Sequence, residues 1–169
     1  LINNLNDNNI PYCHWKSNIG LEKELRGGEL DLHVKVEFKN KFESLITKLG
    51  FIKITTPLQS HMPGVCHYFG FDESSGKLLH LHIFYKILTG ESILKNYKLP
   101  ISDILINESY KYKNVFIPRI EIEYCLFVIR TFAKYNSLFE YLLILREKDK
   151  VKKESFFIDN QEIDESFLK

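Results

Sequence analysis

Gly27-Gly28-Glu29-Leu30-Asp31-Leu32-His33-Val34 is a Gly-Gly turn running into a strand that carries two carboxylates one residue apart. Side chains alternate faces along a strand, so Glu29, Asp31 and His33 are expected on one side and Leu30, Leu32 and Val34 on the other. One face packs and the other is free for chemistry. Carboxylates held this close repel each other and raise at least one pKa unless a cation lies between them. A hard divalent cation with oxygen ligands, Mg²⁺ or Mn²⁺, is the expected occupant. An edge strand with one solvated face shows the same alternation, so the reading depends on the flanking sequence.

Upstream, the Asn6-Asp7-Asn8-Asn9 run closes a polar helix over residues 1–9, and Pro11 resets the backbone. Tyr12 to Lys16 reads as a short strand, with Ser17-Asn18 capping a helix from Ile19 to Leu25. The unpaired N–H groups of that helix end, together with the charge of Lys16, form a turn suited to phosphate. Lys16 is expected to be exposed there. Its removal should therefore weaken phosphate binding and leave the fold intact.

Downstream, Phe38, Phe42, Leu45, Ile46 and Leu49 mark one face of a helix stopped by Gly50. Phe51 to Thr56 reads as a strand ended by Pro57, and residues 58–65 as a loop. Cys66 to Phe71 and Leu78 to Ile87 form an expected hairpin around Asp72-Glu73-Ser74-Ser75-Gly76. His80 and His82 then point to the same side of its second arm. Leu88-Thr89-Gly90-Glu91 breaks the strand, and a short helix or loop leads to Pro100. Residues 101–169 read as a mainly helical C-terminal segment, with a strand at Val115-Phe116-Ile117. A long helix from Ile120 to Tyr135 uses Ile122, Leu126, Ile129 and Phe132 or Ala133 as its core face, and a second helix from Ser137 pairs with it.

These elements give an α+β fold, a small mixed sheet flanked by helices, with an α/β core over residues 1–100. Thirteen Phe and nine Tyr make the core aromatic. The balance of 23 basic and 22 acidic residues, net +1, argues against a nucleic-acid binder but leaves room for a small anionic substrate. Cys13, Cys66 and Cys125 lack paired spacing and suit free thiols in a cytoplasmic protein. No stretch approaches the roughly 18 apolar residues of a membrane span. The chain begins at Leu1 instead of Met, so a further domain or partner protein is expected.

The element order, with a carboxylate pair on the second core strand, resembles the nucleotidyltransferase fold of the polymerase-beta type. A closer resemblance is to bacterial nucleotidyltransferase-like domains of surface-polysaccharide gene clusters, sometimes joined to a thymidylate-kinase-like domain. It is carried by Tyr12-Cys13-His14-Trp15-Lys16-Ser17-Asn18, the Gly-Gly-Glu-Leu-Asp-Leu strand, His80-Leu81-His82 and Leu88-Thr89-Gly90-Glu91. The resemblance implies transfer of a nucleoside monophosphate from a nucleoside triphosphate to a hydroxyl or phosphate, on a small-molecule or glycan acceptor. It places Mg²⁺ or Mn²⁺ on Glu29 and Asp31, and the phosphates at Lys16, Ser17 and Asn18. Three departures accompany it. Glu29 replaces an Asp, Lys16-Ser17 replaces a Gly-Gly or Gly-Ser turn, and His80 and His82 stand where a third carboxylate is expected. The histidines are then additional metal ligands suited to zinc or manganese. The other outcome is a catalytically inactive binding or scaffold module on the same fold.

Other constellations are weaker. A zinc site from Cys13, His14, Cys66, His67, His80 and His82 lacks the usual ligand spacing. The cysteines read as packing residues, and His61 and His67 as a loop residue and a strand residue. Asp31→Asn is expected to spare, or slightly raise, the stability of the metal-free protein by relieving carboxylate repulsion.

Overall fold

The computed structural model describes residues 1–16, 29–55, 62–90 and 97–134. Its centre is a five-stranded mixed sheet built from β1 (Tyr12–His14), β2 (Glu29–Val34), β3 (Ile52–Ile54), β4 (Val65–Asp72) and β5 (Lys77–Phe84), in the order β1-β2-β5-β4-β3. Only β2 and β5 run parallel, with Glu29 opposite His80 and Asp31 opposite His82. The other pairings are antiparallel.

Alternation gives the sheet two distinct faces. On one, Leu30, Leu32, Leu81, Ile83 and Tyr68 are buried beneath Leu5 of α1 (Ile2–Asp7) and Phe42 and Ile46 of α2 (Lys39–Lys48). The i, i+4 spacing of Phe42 and Ile46 puts both on the helix stripe facing the sheet. Gly50, at φ +84°, ends the helix in a conformation that costs a residue with a Cβ. Replacing Phe42, which has no exposed surface, by Ala should cost about 3–5 kcal/mol.

Among the described residues, the opposite face is covered at one end only. There Cys13, Trp15, Val65 and Phe84 pack with Leu105 of α3 (Ser102–Asn107) and Leu126 of α4 (Ile120–Lys134). Trp15 meets Phe84 edge to face at 5.0 Å. Residues beyond position 100 thus share a core with residues before it.

Several connections differ from the sequence reading. The run along β5 ends at Phe84, before a bend at Tyr85-Lys86. Ile87–Thr89 forms β6 and pairs with β7 (Tyr97–Leu99), while residues 92–96 of the expected helix or loop lie outside the described residues. Positions 102–107, in the segment expected to be mainly helical, form α3. The strand at Val115-Phe116-Ile117 is present as β9 (Val115–Pro118), paired with an unforeseen β8 (Ser109–Tyr112). Its two-residue turn, Lys113-Asn114, has positive φ at both positions, which matches the twist of a tight hairpin. The hairpin docks on α1: Asn6 Nδ2 donates to Asn114 O at 3.0 Å, and Asn114 bonds Asn3. Leu126 in α4 is buried, whereas Phe132 is 76% exposed, so the expected core stripe holds only over the helix's first half. The second helix expected from Ser137 lies outside the described residues.

Candidate metal and anion site

The end of the second face that no described residue covers carries a cluster of ionisable side chains. Parallel register brings the β2 carboxylates and the β5 histidines side by side: His80 Nδ1 lies 3.0 Å from Glu29 Oε1, and His82 Nδ1 lies 3.1 Å from Asp31 Oδ1 and 3.6 Å from Glu29 Oε1. Glu29, Asp31, His80 and His82 therefore share one face of one sheet. A residue that the sequence reading left as an ordinary strand position joins them. His67, opposite His82 on β4, places its Nδ1 3.0 Å from His80 Nε2 and stacks on His82 at 4.3 Å.

Lys16 enters from the end of β1. A backbone bond from Trp15 N to Asp31 O, 3.3 Å long, continues the β1–β2 ladder and sets Lys16 Nζ 2.9 Å from Asp31 Oδ1. Its ammonium also lies 4.0 Å from the centre of the Phe84 ring. Both ion-pair side chains are only 13% exposed. The expectation of an exposed lysine is therefore corrected: packing over Phe84 and the pull of a buried carboxylate draw Lys16 in. Ser17 and Asn18 lie outside the described residues.

The same pairing corrects the picture of two carboxylates repelling until a metal arrives. Burial disfavours ionised Asp31, but neighbouring His82 and the charge of Lys16 outweigh it and hold the carboxyl well below its usual range. His82 likewise keeps Glu29 below the ordinary value, against burial and the nearby Asp31. Neither carboxyl is raised, because the protein supplies its own cationic partners. Burial works against charge on His82, and the two carboxylates overcome it, raising its pKa. His67 and His80 go the other way, lowered first by burial.

His33 shares the face but not the site. It has no exposed surface, its Nδ1 lies 2.8 Å from Phe84 O and its Nε2 lies 2.7 Å from Ser102 Oγ beneath α3. Burial lowers its pKa, so it is a neutral packing residue that donates from Nδ1 and accepts the serine hydroxyl at Nε2. The six-residue zinc set is split by the sheet. His14 and Cys66 pair with Leu32 and Ile83, which belong to the opposite face. Cys13 sits in the core beside Trp15, where burial pushes its thiol pKa far up and leaves it protonated.

A divalent cation fits one observation in particular. His82 Nδ1 is buried and lies 3.1 Å from Asp31 Oδ1 and 3.6 Å from Glu29 Oε1, between two carboxylates. Two ligands of one ion with bonds of about 2.1 Å lie about 3.0 Å apart in an octahedral shell and about 3.4 Å apart in a tetrahedral one. The His82–Asp31 and His82–Glu29 separations fall around those values. Glu29, Asp31 and His82 each offer one ligand atom within 4.8 Å of the others, a set that could hold one cation with one nitrogen among its ligands. Comparison with protein-family models, with curated proteins and with solved structures returned no match.

Proposed function

We propose that this chain is a metal-dependent nucleotidyltransferase-like protein, moving a nucleoside monophosphate from a nucleoside triphosphate to a hydroxyl or phosphate of a small-molecule or glycan acceptor. The observation that carries the reading is the register of β2 against β5, which sets an alternating carboxylate pair beside an alternating imidazole pair on one face of a mixed sheet. Glu29 and Asp31 hold the cation with His82 Nδ1, and Mn²⁺ suits this mixed oxygen and nitrogen set better than Mg²⁺. A cation held by these residues would supply Lewis-acid polarisation of the phosphate and a lowered pKa for the attacking hydroxyl. Lys16, one hydrogen bond from Asp31, meets the phosphate oxygens and offsets their charge. His80 holds the Glu29 carboxylate in place from its own strand. In the transfer, the acceptor oxygen bonds to the α-phosphorus, the bond to the pyrophosphate oxygen breaks, and the acceptor proton leaves to water.

A second reading is favoured by the Lys16–Asp31 pair itself. An ammonium 2.9 Å from the carboxylate neutralises it without a metal, as expected of a binding or scaffold module that has kept the fold and lost turnover. Calorimetric titration with nucleoside triphosphates, with and without Mn²⁺ or Mg²⁺, separates the two. The transferase reading predicts metal-dependent binding that Glu29→Gln removes; metal-independent binding, or none, supports the module.

A further inference from the structure

We propose that Glu29, His67 and His80 form a separate site for one zinc-class divalent ion, filled ahead of the carboxylate pair. One donor atom from each lies within 4.8 Å of the others, and His67 Nδ1 and His80 Nε2, hydrogen-bonded at 3.0 Å, need to part by only a few tenths of an ångström to reach the about 3.4 Å of two ligands on one tetrahedral ion. The donor chemistry selects the metal. Two imidazoles and one carboxylate with an open fourth position are a common catalytic zinc set, whereas magnesium prefers oxygen ligands and retains its waters.

Three structural features support the order of filling. The ion-pair partners of Glu29 among the described residues are the imidazoles of His80 and His82, whereas Asp31 already has an ammonium. An ion arriving at Asp31 meets the repulsion of Lys16, and one arriving at His67 and His80 does not. The imidazoles are also held in place by packing: Phe69 lies parallel to His80 at 4.4 Å, and His67 stacks on His82. Ligands fixed in this way lose little freedom on binding. Finally, the His80 and Glu29 side chains are 23% and 44% exposed, so an ion has a path in. The open position would accept an anionic oxygen such as phosphate. This site shares Glu29 with the transferase reading but does not require nucleotidyl transfer.

The test uses the 169-residue chain and the metals alone. Zn²⁺ is titrated calorimetrically with Mg²⁺ present in excess, Co²⁺ is followed by its visible spectrum, and the histidine side-chain NMR signals are recorded on the wild type. The expected result is one tight ion per chain, cobalt bands without thiolate charge transfer, and shifts at His67 and His80. His67→Gln and His80→Gln should each weaken binding about tenfold or more, whereas Asp31→Asn should change it less than about threefold. Loss of binding in Asp31→Asn with none in His67→Gln would place the ion on the carboxylate pair and overturn the proposal. Absence of Zn²⁺ binding to the folded wild type, or displacement by Mg²⁺, would also overturn it, leaving the imidazoles as a hydrogen-bonded stack. Thermal melts confirm that each variant is folded, and the wild-type NMR shifts do not depend on any variant.

Discussion

Lys16→Met removes the ammonium and keeps most of the side-chain stem, so it isolates the charge. At 2.9 Å and an effective dielectric near 20, the attraction to Asp31 is about 6 kcal/mol before desolvation is counted. Breaking a buried pair from one side costs about 3–5 kcal/mol. The slight exposure of both side chains, and His82 remaining beside Asp31, reduce this to about 2–3 kcal/mol, including the lost cation–π contact with Phe84. For a chain of this size that is a fall in Tm of about 4–12 °C. The loss depends on pH. The pKa of His82 is raised in the fold, so its stabilising charge is fully present below the ordinary histidine value and lost as pH rises through the folded one. Protonated His82 then stands in for Lys16, and the variant should be hurt less at about pH 6 than at about pH 8. Asp31 titrates in the opposite sense. Its lowered pKa gives stability above the ordinary carboxylate value that is lost as pH falls toward the folded value, and Lys16→Met should flatten that acid limb. Chemical denaturation of wild type, Lys16→Met, Asp31→Asn and the double variant gives the coupling energy. A value below about 0.5 kcal/mol at pH 8, or an equal loss at both pH values, would refute this account of the pair.

Asp31→Asn should destabilise the metal-free protein by about 2–3 kcal/mol in thermal melts, not spare it, because it removes the carboxylate charge 2.9 Å from the half-buried Lys16 ammonium. Ser102→Ala removes the hydroxyl at Nε2 of fully buried His33 and should cost about 1–3 kcal/mol in urea unfolding. Gly70→Ala should cost about 1–3 kcal/mol, since its Cβ would sit 2.7 Å from the Phe51 ring in the core; an unchanged urea midpoint would mean that Phe51 moves freely.

Much of the sheet was legible because its signals are local. Alternation along Glu29–Val34 and Lys77–Phe84, turn chemistry at residues 73–76 and helical spacing from Phe42 to Ile46 each specify an element without reference to distant residues. The site was legible only in part, since its membership depends on register. Nothing in the sequence near His67 says that it lies opposite His82, and nothing near Lys16 says that Asp31 is its partner. A pairing shifted by one residue would send either side chain to the other face. The three-residue strands β6 and β7 were missed because they are too short to show a period. In α4 the apolar repeat continues through Ile129 and Phe132, but both side chains are exposed, so periodicity alone overstated the buried stripe.

The most direct test of the proposed function is crystallographic: crystals grown with Mn²⁺ and a non-hydrolysable nucleoside triphosphate, with data collected at the manganese absorption edge. The account predicts an anomalous peak within coordinating distance of Glu29, Asp31 and His82 Nδ1, with phosphate oxygens on the same ion and beside Lys16. Triphosphate bound away from this face, or bound here with no manganese and Lys16 still closed on Asp31, would contradict it.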